Sequence, residues 1–138
     1  MTNCIHVLLR VTDFGDDPDV VTKLIGIPPT ECWLKGQPRR NMPATFHNYS
    51  SWQIQSSLPE TAPMADQFED LLTRLESKKN NIRAVSEQFK LVLLCAAYYH
   101  DCQPGIYLDR AVITRIADLG LSLDFDLYFL GDEPSKES

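Results

Sequence analysis

The sequence is short of several things. No apolar run approaches the roughly 18–20 residues that a membrane-spanning helix needs, so no helical span is expected. Cations are scarce: 13 Lys and Arg stand against 19 Asp and Glu, for a net charge of −6. Nucleic acid and anionic membranes are recognised by many cations on one face, so neither is expected as a partner. The opening Met1–Val11 has no basic leader before its apolar residues and no small-residue cleavage pattern. No secretory signal is therefore expected, and the chain reads as cytoplasmic with reduced thiols. There are four cysteines, at 4, 32, 95 and 102, and no C-x-x-C. The tightest set of ligand types is Cys95, His100 and Cys102, and a fourth would have to come from distant His6 or Cys4. Zinc sites are normally spaced more tightly, so no metal ligand and no cofactor is assigned. Cys4, Cys32 and Cys95 are instead read as small buried residues on strands. Ser-His-Asp, nucleophile-elbow, phosphate-loop and dinucleotide fingerprints are missing as well.

What remains has the composition of an ordinary globular domain, 43% apolar and 23% charged. At 138 residues it is expected to be one domain over residues 1–130, with a disordered polar tail over 131–138. A core of that size needs no cross-link.

The hydrophobic pattern predicts the elements. Ile5, Val7, Leu9 and Val11 alternate as on a strand. Asp17-Pro18-Asp19 then starts a helix carrying Val20, Val21, Leu24 and Ile25, which Gly26 and Pro28 stop. Thr30–Leu34 and Ser51–Ser57 read as strands, and Gln37–Tyr49 between them as a long irregular loop. Met64, Phe68, Leu71, Leu72 and Leu75 form one helical face, with Lys78–Asn81 either a break or a join to a further helical piece. Phe89–Tyr99 reads as a central strand, Ile106–Leu108 as a short strand and Asp109–Leu119 as a helix. Leu121–Leu130 alternates as a strand with one wet face. Val20–Leu24 (VVTKL) and Val112–Ile116 (VITRI) match in register, which suggests a pseudo-symmetric β-α-β repeat. The expected architecture is an α+β two-layer sandwich. It has about six strands, mixed or largely antiparallel, with three helical segments on one face.

Several segments carry a resemblance. Asp17-Pro18 with Val21–Thr30 (VTKLIGIPPT), Trp33–Arg40 (WLKGQPRR), Ser51-Trp52, Leu58-Pro59-Glu60 and Leu119–Tyr128 (LGLSLDFDLY) occur in that order. Together they resemble a bacterial family known as domain of unknown function 4279, from the first strand to the last. The resemblance implies a bacterial, single-domain, non-secreted protein and transfers no activity. Asn41–Ser50 (NMPATFHNYS) departs from the family pattern.

Three groups of residues are candidates for function. The first is Trp33, Lys35, Arg39 and Arg40, an island of cations beside an aromatic ring, with Gly36 and Pro38 suited to a tight turn. Guanidinium and ammonium groups in such a turn suit a carboxylate or phosphate. The excess of acidic residues favours the alternative, in which these cations pair with the chain's own Asp and Glu. The second is the two Trp: Trp52 is expected in the core, and Trp33 at its edge or on a contact surface. The third is the wet sheet face with Asp124, Asp126 and Tyr128. If the long strand is its neighbour, Tyr98, His100, His6 and Arg10 join it. Asp124, Asp126 and His100 are weak candidates for acid–base or metal-assisted catalysis, while Tyr98, Tyr128, Leu8 and Leu130 suit self-association. The leading expectation is a non-enzymatic interaction module binding a protein, a peptide or an acidic ligand through Trp33–Arg40. An enzyme on the polar sheet face and a structural homodimer are the alternatives.

Overall fold

The structure, a computed structural model, describes residues 3–100 and 105–130. Cys102 and the expected tail lie outside them. The elements run β1 (Cys4–Thr12), α1 (Pro18–Ile25), β2 (Glu31–Trp33), β3 (Ser51–Gln55), α2 (Met64–Glu76), α3 (Lys79–Ser86), β4 (Lys90–Tyr99), α4 (Arg110–Asp118) and β5 (Ser122–Phe129).

Local chemistry starts and stops the helices. The Asp17 carboxylate accepts from the Asp19 N–H at 3.1 Å ahead of Pro18, and Gly26 closes α1 in the left-handed region at φ 85°. Asp109 caps α4 by accepting from the Val112 N–H at 3.1 Å. After α2 the chain turns at Ser77 and Lys78. The Ser77 hydroxyl donates to the Arg74 carbonyl at 2.6 Å and the Lys78 N–H to that of Leu75 at 3.0 Å. The break is real, so the described residues form four helices rather than three.

The sheet has five strands in the order β2-β3-β1-β4-β5. All neighbours are antiparallel except β4 and β5, which are parallel. The expected sixth strand, Ile106–Leu108, is irregular and pairs with no strand among the described residues. It is the run-in to α4, too short to compete with the helix start that Asp109 supplies. β4 is interior as expected, but the middle strand is β1. The two segments of the suspected repeat both lie on helices. However, β4-α4-β5 joins adjacent strands, whereas β1 and β2 have β3 between them, so the strand order is not repeated.

One core lies between one face of the sheet and the helices. β1 contributes Val7, Leu9 and Val11; β3 contributes Trp52 and Ile54; β4 contributes Leu91, Leu93 and Cys95. Against them pack Val21 and Ile25 of α1, Phe68, Leu71, Leu72 and Leu75 of α2, Ile82 and Val85 of α3, and Ile116 of α4. Each such side chain contributes about 1.5–3 kcal/mol on burial. Trp52 is fully buried, as expected, and its indole N–H donates to the Thr22 hydroxyl at 2.9 Å. Of the cysteines, Cys95 is buried as expected, Cys4 is half-buried and Cys32 is exposed. Cys32 sits on the three-residue edge strand β2, which the helical layer does not cover.

Two polar devices hold the layers together. β3 is shorter than β1, so the Ile5 and Val7 backbone extends past its end. Gln67 of α2, 1% exposed, fills the gap. Its Oε1 accepts from the Val7 N–H at 3.2 Å, and its Nε2 donates to the Ile5 carbonyl at 2.8 Å and the Ala62 carbonyl at 3.1 Å. Arg115 of α4 clamps α2. Its Nη1 donates to Glu69 at 2.6 Å, and its Nε and Nη2 donate to Glu76 at 2.9 and 2.8 Å. Those hydrogen bonds, to Glu76 first and Glu69 second, raise the guanidinium pKa further above its ordinary value.

Candidate functional site

With the helices on one face, the other face of the sheet carries none among the described residues. The register fixes what stands there. One row across the strands reads Glu31, Gln53, Arg10, Val92, Ser122; the next reads Gln55, Leu8, Leu94, Asp124. His6, Ala96 and Asp126 form a third row, and Cys4, Tyr98 and Tyr128 a fourth. Tyr98 and Tyr128 stack with ring centroids 4.9 Å apart. His6 meets Tyr98 edge-on and lies 3.3 Å from the Glu60 carboxylate.

The long segment after β2 is an ordered excursion. The Gly36 N–H donates to the His47 carbonyl at 2.9 Å, the His47 N–H to that of Gln37 at 2.9 Å, and the Arg39 N–H to that of Thr45 at 3.0 Å. Pro38 and Phe46 form a bridge between the two limbs. The tip turns through Asn41 and Ala44, at φ 64° and 62°. Aromatic rings brace the base: Trp33 stacks on His47 at 4.3 Å, and its indole N–H donates to the Tyr49 carbonyl at 2.9 Å. The Tyr49 ring then reaches over the open face, where the Arg10 guanidinium carbon lies 5.7 Å from its centroid.

Beneath Tyr49 is a cavity of about 310 Å³, bounded by Arg10, Thr12 and Asp13 at the end of β1, Lys90, Val92 and Leu94 on β4, and Asp124 on β5. Asp13 turns the chain in the left-handed region at φ 64°, a conformation Asp tolerates better than most residues. A second hollow shares Thr12, Asp13 and Tyr49 and adds Lys35. Arg10 is braced from β3. With the Gln53 amide turned so that its oxygen faces Arg10, the guanidinium Nη2 and Nε donate to it at 3.2 and 3.3 Å, and the Ser51 hydroxyl donates at 3.2 Å. Gln53 and Ser51 are both buried.

The candidates of the sequence fall apart into groups. Trp33 is half-buried at the base of the excursion, while Lys35, Arg39 and Arg40 are exposed. The ion pairs found among the described residues are His6–Glu60, Arg74–Asp70, Arg115–Glu69 and Arg115–Glu76. Among the described residues, the expected internal pairing of Lys35, Arg39 and Arg40 with carboxylates is not seen. Asp124 and Asp126 share the open face as expected. His100 does not join them: Asp126 is level with Ala96, and His100 lies about 13 Å further along at roughly 3.3 Å per residue. The His100 N–H donates to the Asn3 side chain at 2.8 Å. Among the described residues no three His, Cys, Asp or Glu gather in a metal-holding arrangement.

A family model described as domain of unknown function (DUF4279) matches residues 3–130. The chain belongs to this family. No curated protein and no solved structure matches it. No helix among the described residues of this DUF4279 domain is long and apolar enough to cross a membrane.

Sequence reasoning reached Arg10 and Asp124 of the DUF4279 cavity through strand alternation. It missed Tyr49, Lys90, Gln53 and Asp13. Tyr49 lies in a segment without periodicity, and Lys90 reads as the polar start of an apolar strand. Gln53 did carry a signal, as a polar residue alternating with Trp52 and Ile54, but alternation alone reads it as wet rather than as buried beneath Tyr49 and Arg10.

Proposed function

We propose that this protein is a non-enzymatic binding module that takes an acidic partner, a peptide or protein segment, through the Trp33–Arg40 turn. Its contact residues are Trp33, Lys35, Arg39 and Arg40. One observation carries the reading: three cations stand without ion-pair partners among the described residues, on an excursion stiffened by ring stacking and cross-limb hydrogen bonds. An unpaired, pre-positioned cation keeps its charge for an incoming carboxylate and costs little further ordering on binding. The protein's net charge of −6 disfavours acidic ligands over much of the remaining surface. A fluorescent oligoglutamate peptide tests it by anisotropy at low and physiological salt. The Lys35→Ala/Arg39→Ala/Arg40→Ala variant is expected to bind at least about tenfold more weakly. Equal binding by the variant rejects the reading.

A second reading, a homodimer, is favoured by the outer edge of the sheet. β5 is an edge strand, and Tyr128, Phe129 and Leu130 at its end are 46%, 62% and 55% exposed. An open edge with apolar side chains is a template for pairing. Light scattering on the eluting protein tests it: a monomer at high concentration rejects it.

A further inference from the structure

We infer that the cavity beneath Tyr49 is a separate small-molecule site, for an organic monoanion with a flat apolar body and a hydrogen-bond donor at its far end. The hydroxy- or amino-substituted aryl carboxylates are the class that fits. The inference stands apart from the hairpin reading, because it uses different cations.

Size comes first. Ligand pockets run from about 300 to 1,000 Å³, and a cavity of about 310 Å³ admits one ring with its substituents and no peptide. The floor is Val92 and Leu94, adjacent on one face of β4, and the side is the Tyr49 ring. A flat apolar body would lie on the floor and against that ring.

Charge comes second. Arg10 and Lys90 both line the cavity, and neither forms an ion pair among the described residues. Arg10 is also aimed. Its Nε and one Nη2 N–H are engaged by Gln53, and Tyr49 lies against the guanidinium, so the two Nη1 N–H groups and the second Nη2 N–H are left to donate. Gln53 is only 3% exposed and Ser51 fully buried. Such a buried polar brace behind one half-buried arginine is what a binding arginine requires to hold its direction. Gln53 is thus a positioning residue.

The carboxylates then narrow the class. Asp13 and Asp124 line the same cavity. They penalise a polyanion and offer acceptors to an O–H or N–H at the end of the ligand remote from Arg10. Asp124 stands one row along and two strands across from Arg10, which separates the two ends of the site by more than a carboxylate alone could span. A free phosphate or a dianion satisfies the cations and not the aspartates.

The test is a ¹H–¹⁵N NMR titration of the full chain with para-hydroxybenzoate, para-hydroxybenzyl alcohol and terephthalate. Para-hydroxybenzoate is expected to give saturable shifts at Tyr49, Val92, Leu94 and Asp124. The neutral alcohol and the dianion are expected to bind about tenfold or more weaker. Arg10→Gln and Lys90→Gln should each weaken para-hydroxybenzoate by about tenfold, as the loss of one charge-assisted contact implies. Lys90 is exposed at the start of β4, so its variant keeps the test decisive if Arg10→Gln unfolds. Arg39→Ala/Arg40→Ala should leave this binding unchanged while weakening that of oligoglutamate. No saturable shift overturns the inference. So does equal binding of the neutral alcohol, indifference to Lys90→Gln, or loss of binding in the Arg39/Arg40 variant.

Discussion

At the scale of single residues, Gln67 and Cys95 show what burial demands. Gln67 completes a ladder that β3 is too short to complete, so Gln67→Ala leaves the buried Val7 N–H and the half-buried Ile5 carbonyl without this partner. An unsatisfied buried group costs about 1–3 kcal/mol, and urea unfolding of Gln67→Ala should show a loss of about 3 kcal/mol with an unchanged slope. Gln67 was partly legible. It falls on the same helical stripe as Met64, Phe68 and Leu71, where a polar side chain is out of place. The sequence does not say which backbone it serves, because that strand lies sixty residues away. Cys95 is pushed up to about 11 by burial, whereas Cys32 is exposed. The thiolate is the reactive form. A variant retaining only Cys95 should therefore resist disulfide reagents at pH 8 until unfolded, while one retaining only Cys32 reacts at once.

At the scale of elements, α2 is tied to its surroundings by carboxylates. Desolvation raises the Asp70 pKa, but the Ser57 N–H, the Ser56 and Ser57 hydroxyls and the Arg74 charge outweigh it and hold the carboxyl below its ordinary 3.8. Glu69 is held below its ordinary 4.5, first by its hydrogen bond from Arg115 and then by Thr73. Both pKa values are depressed by folding. The stability they add is complete above the unfolded values and is lost as pH falls through the folded ones. Denaturant midpoints should thus fall below about pH 4.5, and fall less steeply in Asp70→Asn and Arg115→Met. At neutral pH Arg115→Met should cost about 1–2 kcal/mol. The elements themselves were largely readable, since Asp17-Pro18, Asp109 and the alternation of β5 act locally. The excursion after β2 was not. Its cross-limb hydrogen bonds are backbone to backbone, and its side chains keep no period. The Arg115 clamp joins helices whose relative placement only the sheet decides.

At the scale of the whole molecule, the two faces differ in kind. Among the described residues, one is closed by the helices, while the other carries no helix and is overhung by Tyr49. Hydrogen exchange should report this directly. Amides of β1 and β4, paired on both sides over much of their length, should exchange only through global unfolding. Gly36, Arg39 and His47 should exchange through local opening, because few buried contacts hold their limbs. The strand order has a further, kinetic consequence. The middle strand β1 pairs with β4 so that Cys4 meets Tyr98, which closes everything from β1 to β4 into one loop. No hairpin nucleates that pairing, and β1 has only one of its two neighbours until β4 is made. The chain should refold slowly for its size, on a scale of milliseconds to seconds. During synthesis, the apolar row Val7, Leu9 and Val11 waits with an open hydrogen-bonding edge, and that waiting period is when the nascent protein is most exposed to aggregation and to chaperones.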